Sequence, residues 1–475
     1  MCAILGIIGS KDLAKEMYQG LEHQQHRGDQ AAGILSYDRK HTQGESGIRR
    51  IRELGYVEQL RSQLSQIKGD MAIGHTRYAT VGGDNDINAA QPFWSPQAGF
   101  VGWVQNGNTV NHLSLLDELK KERLWMYSNS DGEVQMNIFA RRYMREVAGL
   151  DGICNAVGEV YEKVKGGNSI ISLIADSGLL SFRDPKGIRP LVWGKRVVDE
   201  KDSYGFASES GALHSLGFQN ITDVNPGSVY FVDMHRNLHV RNIISQSPAH
   251  CAFEYAYFAK ANAILDKVSV YEVRKRLGKE LAIRIKEKNI EADIVVPVPE
   301  TGRIAALETA RVLGIPLVEG LLKNSYVGRT FIQSTQIKRK NAVELKFQAV
   351  AAEIKDKSVI LEDDSIVRGT TDGFIVRLIR EAGARKVHLA STFPPVISSC
   401  YTGIDFPNKE QLIAVGKTEE QIAAELEADS VTYTTNEALS RAIGLEGRLC
   451  NGCTTGIYPI DVSEGARFGN LRQLQ

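Results

Sequence analysis

Apolar positions in the first half of the chain come in short runs broken by glycine. Ala3–Gly9 reads as a buried strand, and Ala31–Tyr37, Met71–Tyr78 and Phe100–Val104 follow the same pattern. Leu113–Glu122 and Glu133–Val147 carry apolar residues at helical spacing. Ser169–Ala175, Gly178–Phe182, Leu191–Gly194 and Ser228–Val232 again read as strands. Strands in series around a block of helices predict a layered α+β domain.

The second half alternates. Val270–Glu287 is an amphipathic helix with mixed charges, Asp293–Val298 a short apolar strand and Arg303–Leu313 a helix. Val359–Leu361 runs into acidic residues, Thr371–Glu381 is helical, and Val387–Ala390 is a third strand. Strand–helix alternation predicts an α/β domain on a parallel sheet. The polar, Pro-containing Gln246–His250 marks the seam, which divides the chain into 2–245 and 246–475. No internal repeat or low-complexity stretch is visible.

Composition narrows the function classes. The 475 residues hold 57 Lys+Arg against 57 Asp+Glu, a net charge of zero. That balance argues against a non-specific nucleic-acid or polybasic membrane binder. No run approaches the roughly 20 apolar residues of a membrane span, and no secretory signal is visible. Six cysteines are too sparse for a disulfide scaffold, so a cytoplasmic setting is expected.

Cys2 follows the initiator Met1. Freed of Met1, it would carry an α-amine titrating at about 7.7–8.0, which can serve as base for its own thiol. Gln105–Asn108 (QNGN) follows an apolar strand, and Asn106 with Gly107 offers a side-chain amide and a backbone N–H for an oxyanion. Arg77 in HTRYAT can fork a substrate carboxylate, and Asp131 in SDGE can hold an ammonium. Read singly, Asn-Gly is a hairpin turn, Arg77 a surface ion pair and Asp131 a helix cap.

Cys2, His26–Gly33 (HRGDQAAG), HTRYAT, QNGN and SDGE occur in the order of the N-terminal-nucleophile glutamine amidotransferases, which the first half resembles. FRDPKGIRP (182–190) and ASES (207–210) extend the match. The resemblance implies an αββα hydrolase domain with Cys2 as nucleophile, Asn106 and Gly107 as oxyanion donors, and Arg77 and Asp131 on glutamine. Ala3, Asp29 and Gly132 depart from the usual Gly, Gln and Thr.

VILEDDSIVRGTT (359–371) brings Asp363 and Asp364 to the carboxyl end of a strand, then turns into a helix. Helix-start amides with Ser and Thr hydroxyls form an anion site, and the carboxylates can hold ribose hydroxyls. The string resembles the phosphoribosyl pyrophosphate (PRPP) motif of type I phosphoribosyltransferases, and its wording that of the glutamine PRPP amidotransferases. By that resemblance Asp363, Asp364, Ser365, Arg368, Gly369, Thr370 and Thr371 bind PRPP, and Thr301, Asp363 and Asp364 hold Mg²⁺. Lys323–Gln333 matches a loop that closes over PRPP, and Tyr78 and Ile332 match positions along an ammonia channel. KANA (260–263) and Pro299-Glu300-Thr301 replace Arg-Pro-Asp-Ser and Pro-Asp-Ser, and Glu344 and Phe347-Gln348 replace Arg and Leu-Asn.

Cys450 and Cys453 form a C-x-x-C, with Cys251 and Cys400 far off in sequence. Such thiols could hold zinc, hold an iron–sulfur cluster, run redox chemistry or do nothing. The resemblance implies a [4Fe–4S] cluster on these four, with Cys154 an inert buried thiol. It further implies the first step of de novo purine synthesis: PRPP, glutamine and water giving 5-phosphoribosylamine, pyrophosphate and glutamate. A homotetramer and purine nucleotides as feedback inhibitors are expected with it. The alternatives are a glutamine amidotransferase making an amino sugar or asparagine, and a non-catalytic, nucleotide-binding regulatory paralogue.

Overall fold

A computed structural model describes residues 1–40, 47–78, 86–96, 99–124, 126–147, 149–324, 346–406 and 408–465. Two antiparallel sheets form the first half. One has the strand order Gln219–Asp223, Val192–Val198, Lys201–Ala207, Ala3–Ile8, Met71–Arg77, Ala31–Tyr37, Ile48–Leu54. The other runs Leu238–Asn242, Ser228–Asp233, Gly178–Arg183, Gly166–Ile174, Val101–Thr109, Phe93–Ser95. Between them lies a core that includes Ile4, Ile8, Leu35, Ile73, Val104 and Ile171.

Each sheet buries its outer face under helices. Leu13–His23 packs Met17 and Leu21 against Leu5, Ile7 and Ala72 of the first sheet. His112–Lys121, Asp131–Tyr143 and Leu150–Lys163 cover the second around Trp103, Phe139 and Phe182. The layering is therefore αββα, as expected. Strands buried on both faces read as unbroken apolar runs, which is why Ala3–Ile8 and Ala31–Tyr37 are visible in sequence.

The second half holds a four-stranded parallel sheet ordered Ile294–Pro297, Ser358–Asp363, Lys386–Ser391, Ser430–Tyr433. The helices Val270–Glu287 and Arg303–Leu313 have the expected bounds. The fourth strand, Ser430–Tyr433, is too short to stand out by periodicity.

Two differences touch the candidate sites. The strand expected at Phe100–Val104 runs on as Val101–Thr109, so Asn106 and Gly107 lie within it, paired with Ser169 and Asn168. They form neither a hairpin turn nor a loop after a strand. The helix expected from Glu133 begins at Asp131 and ends at Tyr143.

Candidate active sites

Cys2 stands at the entry to the strand Ala3–Ile8, next to the end of Met71–Arg77, with which that strand pairs. The amide of Tyr78 donates to its sulfur at 3.5 Å, and the thiol lies 3.7 Å from the Tyr78 carbonyl. Met1 is attached and buried, its sulfur against Arg189 Nη1. The α-amine of Cys2 is free only once Met1 is removed.

Arg27, which sequence reasoning quoted without giving it a task, holds the backbone of Cys2. Its Nε donates to the Cys2 carbonyl at 3.0 Å. Nη1 donates to Glu209 at 2.6 Å, and Nη2 to Glu254 of the second half at 2.8 Å. All three side chains are almost wholly buried. Burial opposes the Arg27 charge, but Glu254 and Glu209 outweigh it and hold its pKa above the usual value. Burial also works against the Glu209 carboxylate, yet His26 and Arg27 hold its pKa well below the ordinary range.

The facing sheet brings up Asn106. Its strand packs across the sandwich against both Ala3–Ile8 and Met71–Arg77. The Asn106 side chain is fully buried, and neither its oxygen nor its nitrogen has a hydrogen-bond partner among the described residues. Such an amide costs about 1–3 kcal/mol until something pairs with it. Asp131 does not cap its helix; Ser130 does, accepting from the Gly132 amide at 3.3 Å. The Asp131 carboxylate instead accepts from the Thr109 amide at 2.7 Å and Gln105 Nε2 at 3.0 Å, which fixes it beside the QNGN strand. Arg77 closes the strand Met71–Arg77 and is buried, so it is no surface ion pair.

In the second half, Ser358–Asp363 delivers Asp363 and Asp364 at its carboxyl end. Gly369 then caps the helix Thr370–Glu381 at φ +74, and a Cβ there would meet Ile413 Cδ1 at 2.3 Å. Only glycine fits that turn. Thr301 donates to Asp364 Oδ2, and Ser365 Oγ to Asp364 Oδ1 at 2.8 Å. Burial pushes Asp363 well up, with Asp364 and Asp372 adding to it, and burial raises Asp364 too. Asp372, in the first turn of the helix, is pushed up to about 7 chiefly by burial. Sequence reasoning missed it, although an acid directly after Gly-Thr-Thr was its signal. Arg274 is the cation that bears on Asp364, and carboxyl oxygens of this kind suit a divalent cation in chemistry, although among the described residues no three such groups are arranged as a metal site. Glu300 pairs with Arg303 at 3.1 Å on the surface. Ile332, Glu344 and most of Lys323–Gln333 lie outside the described residues.

The KANA segment sits on the seam. Lys260 Nζ donates to the His23 carbonyl at 2.6 Å, and its amide to Glu209 at 3.1 Å.

The cysteines gather from three segments. His250–Cys251 pairs in parallel with Leu449–Cys450, with Cys251 opposite Cys450. Cys400 is buried in the same apolar cluster, and Cys453 packs against it. Burial raises Cys453 well above the usual thiol value, with Cys400, Cys251 and Cys450 adding to it, and pushes Cys450 up to about 12. Four thiols that feel one another's charge fit an iron–sulfur donor set in chemistry. Among the described residues, however, no three His, Cys, Asp or Glu side chains are arranged as a metal site. Cys154 is only half-buried, on the helix Leu150–Lys163.

Residues 62–253 match the model of a glutamine amidotransferase domain, and residues 269–399 that of a phosphoribosyl transferase domain. Amidophosphoribosyltransferase of Methanothermobacter thermautotrophicus is 36% identical over 472 residues, covering 98% of this chain and 96% of its own length. That of Escherichia coli K12 is 38% identical, covering 94% and 89%. The chain belongs to the amidophosphoribosyltransferase family. A solved glutamine PRPP amidotransferase from B. subtilis, complexed with ADP and GMP, superposes with a TM-score of 0.85 at 33% identity, covering 97% of this chain and 98% of that one. Amidophosphoribosyltransferases are pentosyltransferases of the first step of purine biosynthesis, and this chain carries both of their domains. Among the described residues, no helix is long and apolar enough to cross a membrane.

The buried Glu209 carboxylate yields a pH prediction. Its pKa is depressed on folding, so its stabilising contribution is complete above its unfolded value of about 4.3 and is lost as pH falls below that. Glu209→Gln is expected to be less stable than the parent at pH 7. The gap in denaturant midpoints, followed from pH 7 to 3.5, should close below about pH 4.3, at up to about 1.4 kcal/mol per unit. A pH-independent gap would exclude a charged Glu209.

Proposed function

We propose that residues 2–245 hydrolyse glutamine at Cys2 and residues 246–475 transfer the nitrogen to PRPP. The observation that carries the first assignment is Asn106, a buried amide with both polar atoms unpartnered, on a strand packed against the one that Cys2 enters. Arg77 takes the substrate carboxylate, and Asp131, held by Thr109 and Gln105, takes its ammonium. Cys2, relieved of Met1, passes its thiol proton to its own α-amine and attacks the amide carbon. Asn106 and the Gly107 N–H hold the oxyanion. Ammonia leaves, and water releases glutamate from the thioester.

In the second half, Arg368, Gly369, Thr370 and Thr371 hold the 5-phosphate of PRPP, with Ser365 beside them at the helix start. Asp363 and Asp364 hold the ribose hydroxyls. With Thr301 they are also the residues that would hold Mg²⁺, which when bound neutralises charge on the departing pyrophosphate. Ammonia then displaces pyrophosphate from C1. Cys251, Cys400, Cys450 and Cys453 would hold a [4Fe–4S] cluster as a structural tie, since neither half-reaction moves electrons. A cytoplasmic homo-oligomer, a tetramer by resemblance, under purine-nucleotide feedback completes the reading. The B. subtilis relative was solved with two such nucleotides.

Cys2→Ala should abolish phosphoribosylamine formation from glutamine and leave formation from ammonium salts intact, measured as pyrophosphate release. Equal loss with both nitrogen sources would refute the division of labour. Asn106→Ala should lower glutaminase kcat by about 10²–10³.

Asp364→Ala should end PRPP use with either nitrogen source while basal glutaminase persists. Unchanged PRPP binding in Asp363→Ala/Asp364→Ala, followed by calorimetry, would overturn the ribose assignment.

Anaerobically purified protein should be brown, with roughly four irons per chain and broad absorbance near about 400 nm. Colourless protein, or one zinc per chain, would remove the cluster and leave the catalytic reading standing.

A further inference from the structure

The oxyanion strand of the first half is braced by a short segment of the second, through one buried arginine. Arg189 is fully buried. Its own carbonyl accepts from Ser169 Oγ at 2.9 Å, and Ser169 is the cross-strand partner of Asn106. Its guanidinium reaches the other way. Nε donates to the Thr402 carbonyl at 2.6 Å and Nη2 to Thr402 Oγ1 at 2.9 Å, while Glu254 lies 3.7 Å from Nη1. The next residue, Gly403, closes the circuit. A Cβ on it would stand 3.3 Å from Gly107 Cα, 3.5 Å from Gly107 C and 3.5 Å from Arg189 Nε, so Gly403 packs closely beside both residues. Gly403 also sits at φ +121, a conformation that side chains disfavour.

We infer that Arg189, Thr402 and Gly403 are positioning residues for the Asn106–Gly107 oxyanion donors. A ring of contacts runs from Asn106 through Ser169, Arg189 and Thr402 to Gly403 and back to Gly107. Its far side belongs to the phosphoribosyltransferase half. The first half therefore does not set its oxyanion geometry alone. The aim of the Gly107 amide is set by a segment that opens at Cys400 and lies in the same apolar cluster as Cys251 and Cys450. Oxyanion donors act only when aimed at the developing charge, so a displacement of about 1 Å is enough to cost about 10²-fold. Arg77 lies outside the ring, and so does the Cys2 thiol, which rests on Tyr78; Asp131 touches the ring only through Gln105 Nε2, which donates to it at 3.0 Å and to the Gly107 carbonyl at 3.4 Å, and is held independently by the Thr109 amide. Disturbing the ring should lower the rate of acyl transfer and spare substrate affinity and thiol reactivity.

This inference rests on the oxyanion assignment of Asn106 and Gly107, and Asn106→Ala is the reference that separates the two. The test compares Gly403→Ala, which pushes a methyl toward Gly107, with Thr402→Val, which keeps the side-chain shape and removes the hydroxyl's contacts to Arg189 Nη2 and Cys400 Sγ. Gly403→Ala should lower glutaminase kcat about 10- to 100-fold, with KM for glutamine within about threefold. Thr402→Val should act in the same direction by a smaller factor. Ammonia-dependent synthesis, iron content per chain and the rate of Cys2 alkylation by iodoacetamide, a reaction that forms no oxyanion, should each stay within about twofold. Full glutaminase in Gly403→Ala alongside a crippled Asn106→Ala overturns the inference and keeps the oxyanion assignment. Full activity in Asn106→Ala overturns both. Proportionate loss of ammonia-dependent synthesis or of Cys2 alkylation also overturns it, because the damage is then general. If Gly403→Ala does not fold, Thr402→Val decides alone by the same split.

Discussion

Buried guanidinium groups join the two halves of this molecule, and the one beside Cys2 is the constraint on which the rest depends. Arg27 stands between Glu209 of its own domain and Glu254 of the other, and its remaining donor holds the Cys2 carbonyl. Burying a charge is tolerable only with its partners present, and removing one partner of such a set costs about 3–5 kcal/mol. The separated domains would each expose or strand part of the set. The position of the Cys2 backbone thus depends on a carboxylate from the second half of the chain. Arg274 does similar work at the other active site. It is buried and donates to the carbonyls of Tyr255, Tyr257 and Ala259, ordering the segment that carries Glu254, and its charge opposes the raised pKa of Asp364.

The PRPP motif is concentrated chemistry on a rigid scaffold. Its acids sit at the mouth of a parallel sheet, where the strand before them must be apolar, yet Glu362 lies fully buried there and burial pushes it up to about 8. Asp363, Asp364 and Asp372 crowd one corner, where burial raises all three and the charges of Asp364 and Asp372 push Asp363 further. That crowding is tolerable where a ligand brings cationic charge with it.

The layered architecture and both motif strings were legible because strands buried on two faces announce themselves as apolar runs. The strand Ile48–Leu54 (IRRIREL) was not, since one face is half-exposed and its polar positions break the run. Lys201–Ala207 was hidden by its polar beginning, Lys201-Asp202-Ser203. Asn106 reads from sequence as lying just after an apolar strand, because an Asn-Gly pair favours a turn where tertiary pairing does not override it, whereas it lies within the strand Val101–Thr109. The Arg27, Glu209 and Glu254 set could not be read at all. Arg27 lies 182 residues from Glu209 and 227 from Glu254, and only the packed seam brings them into one place.

The pairing of Cys251 with Cys450 has a temporal side. This two-residue parallel ladder joins the first strand of the second domain to its last. A contact between such distant residues carries a loop-closure cost and forms late. During synthesis the first domain and the early seam emerge long before Leu449–Cys450 exists to pair with them. The Cys251–Cys450 pairing therefore stays open until nearly the whole chain has been made, while Arg27 can meet Glu254, and Arg189 can meet Thr402, before then. The ladder that gathers these cysteines is thus a late clasp on a fold already largely laid down.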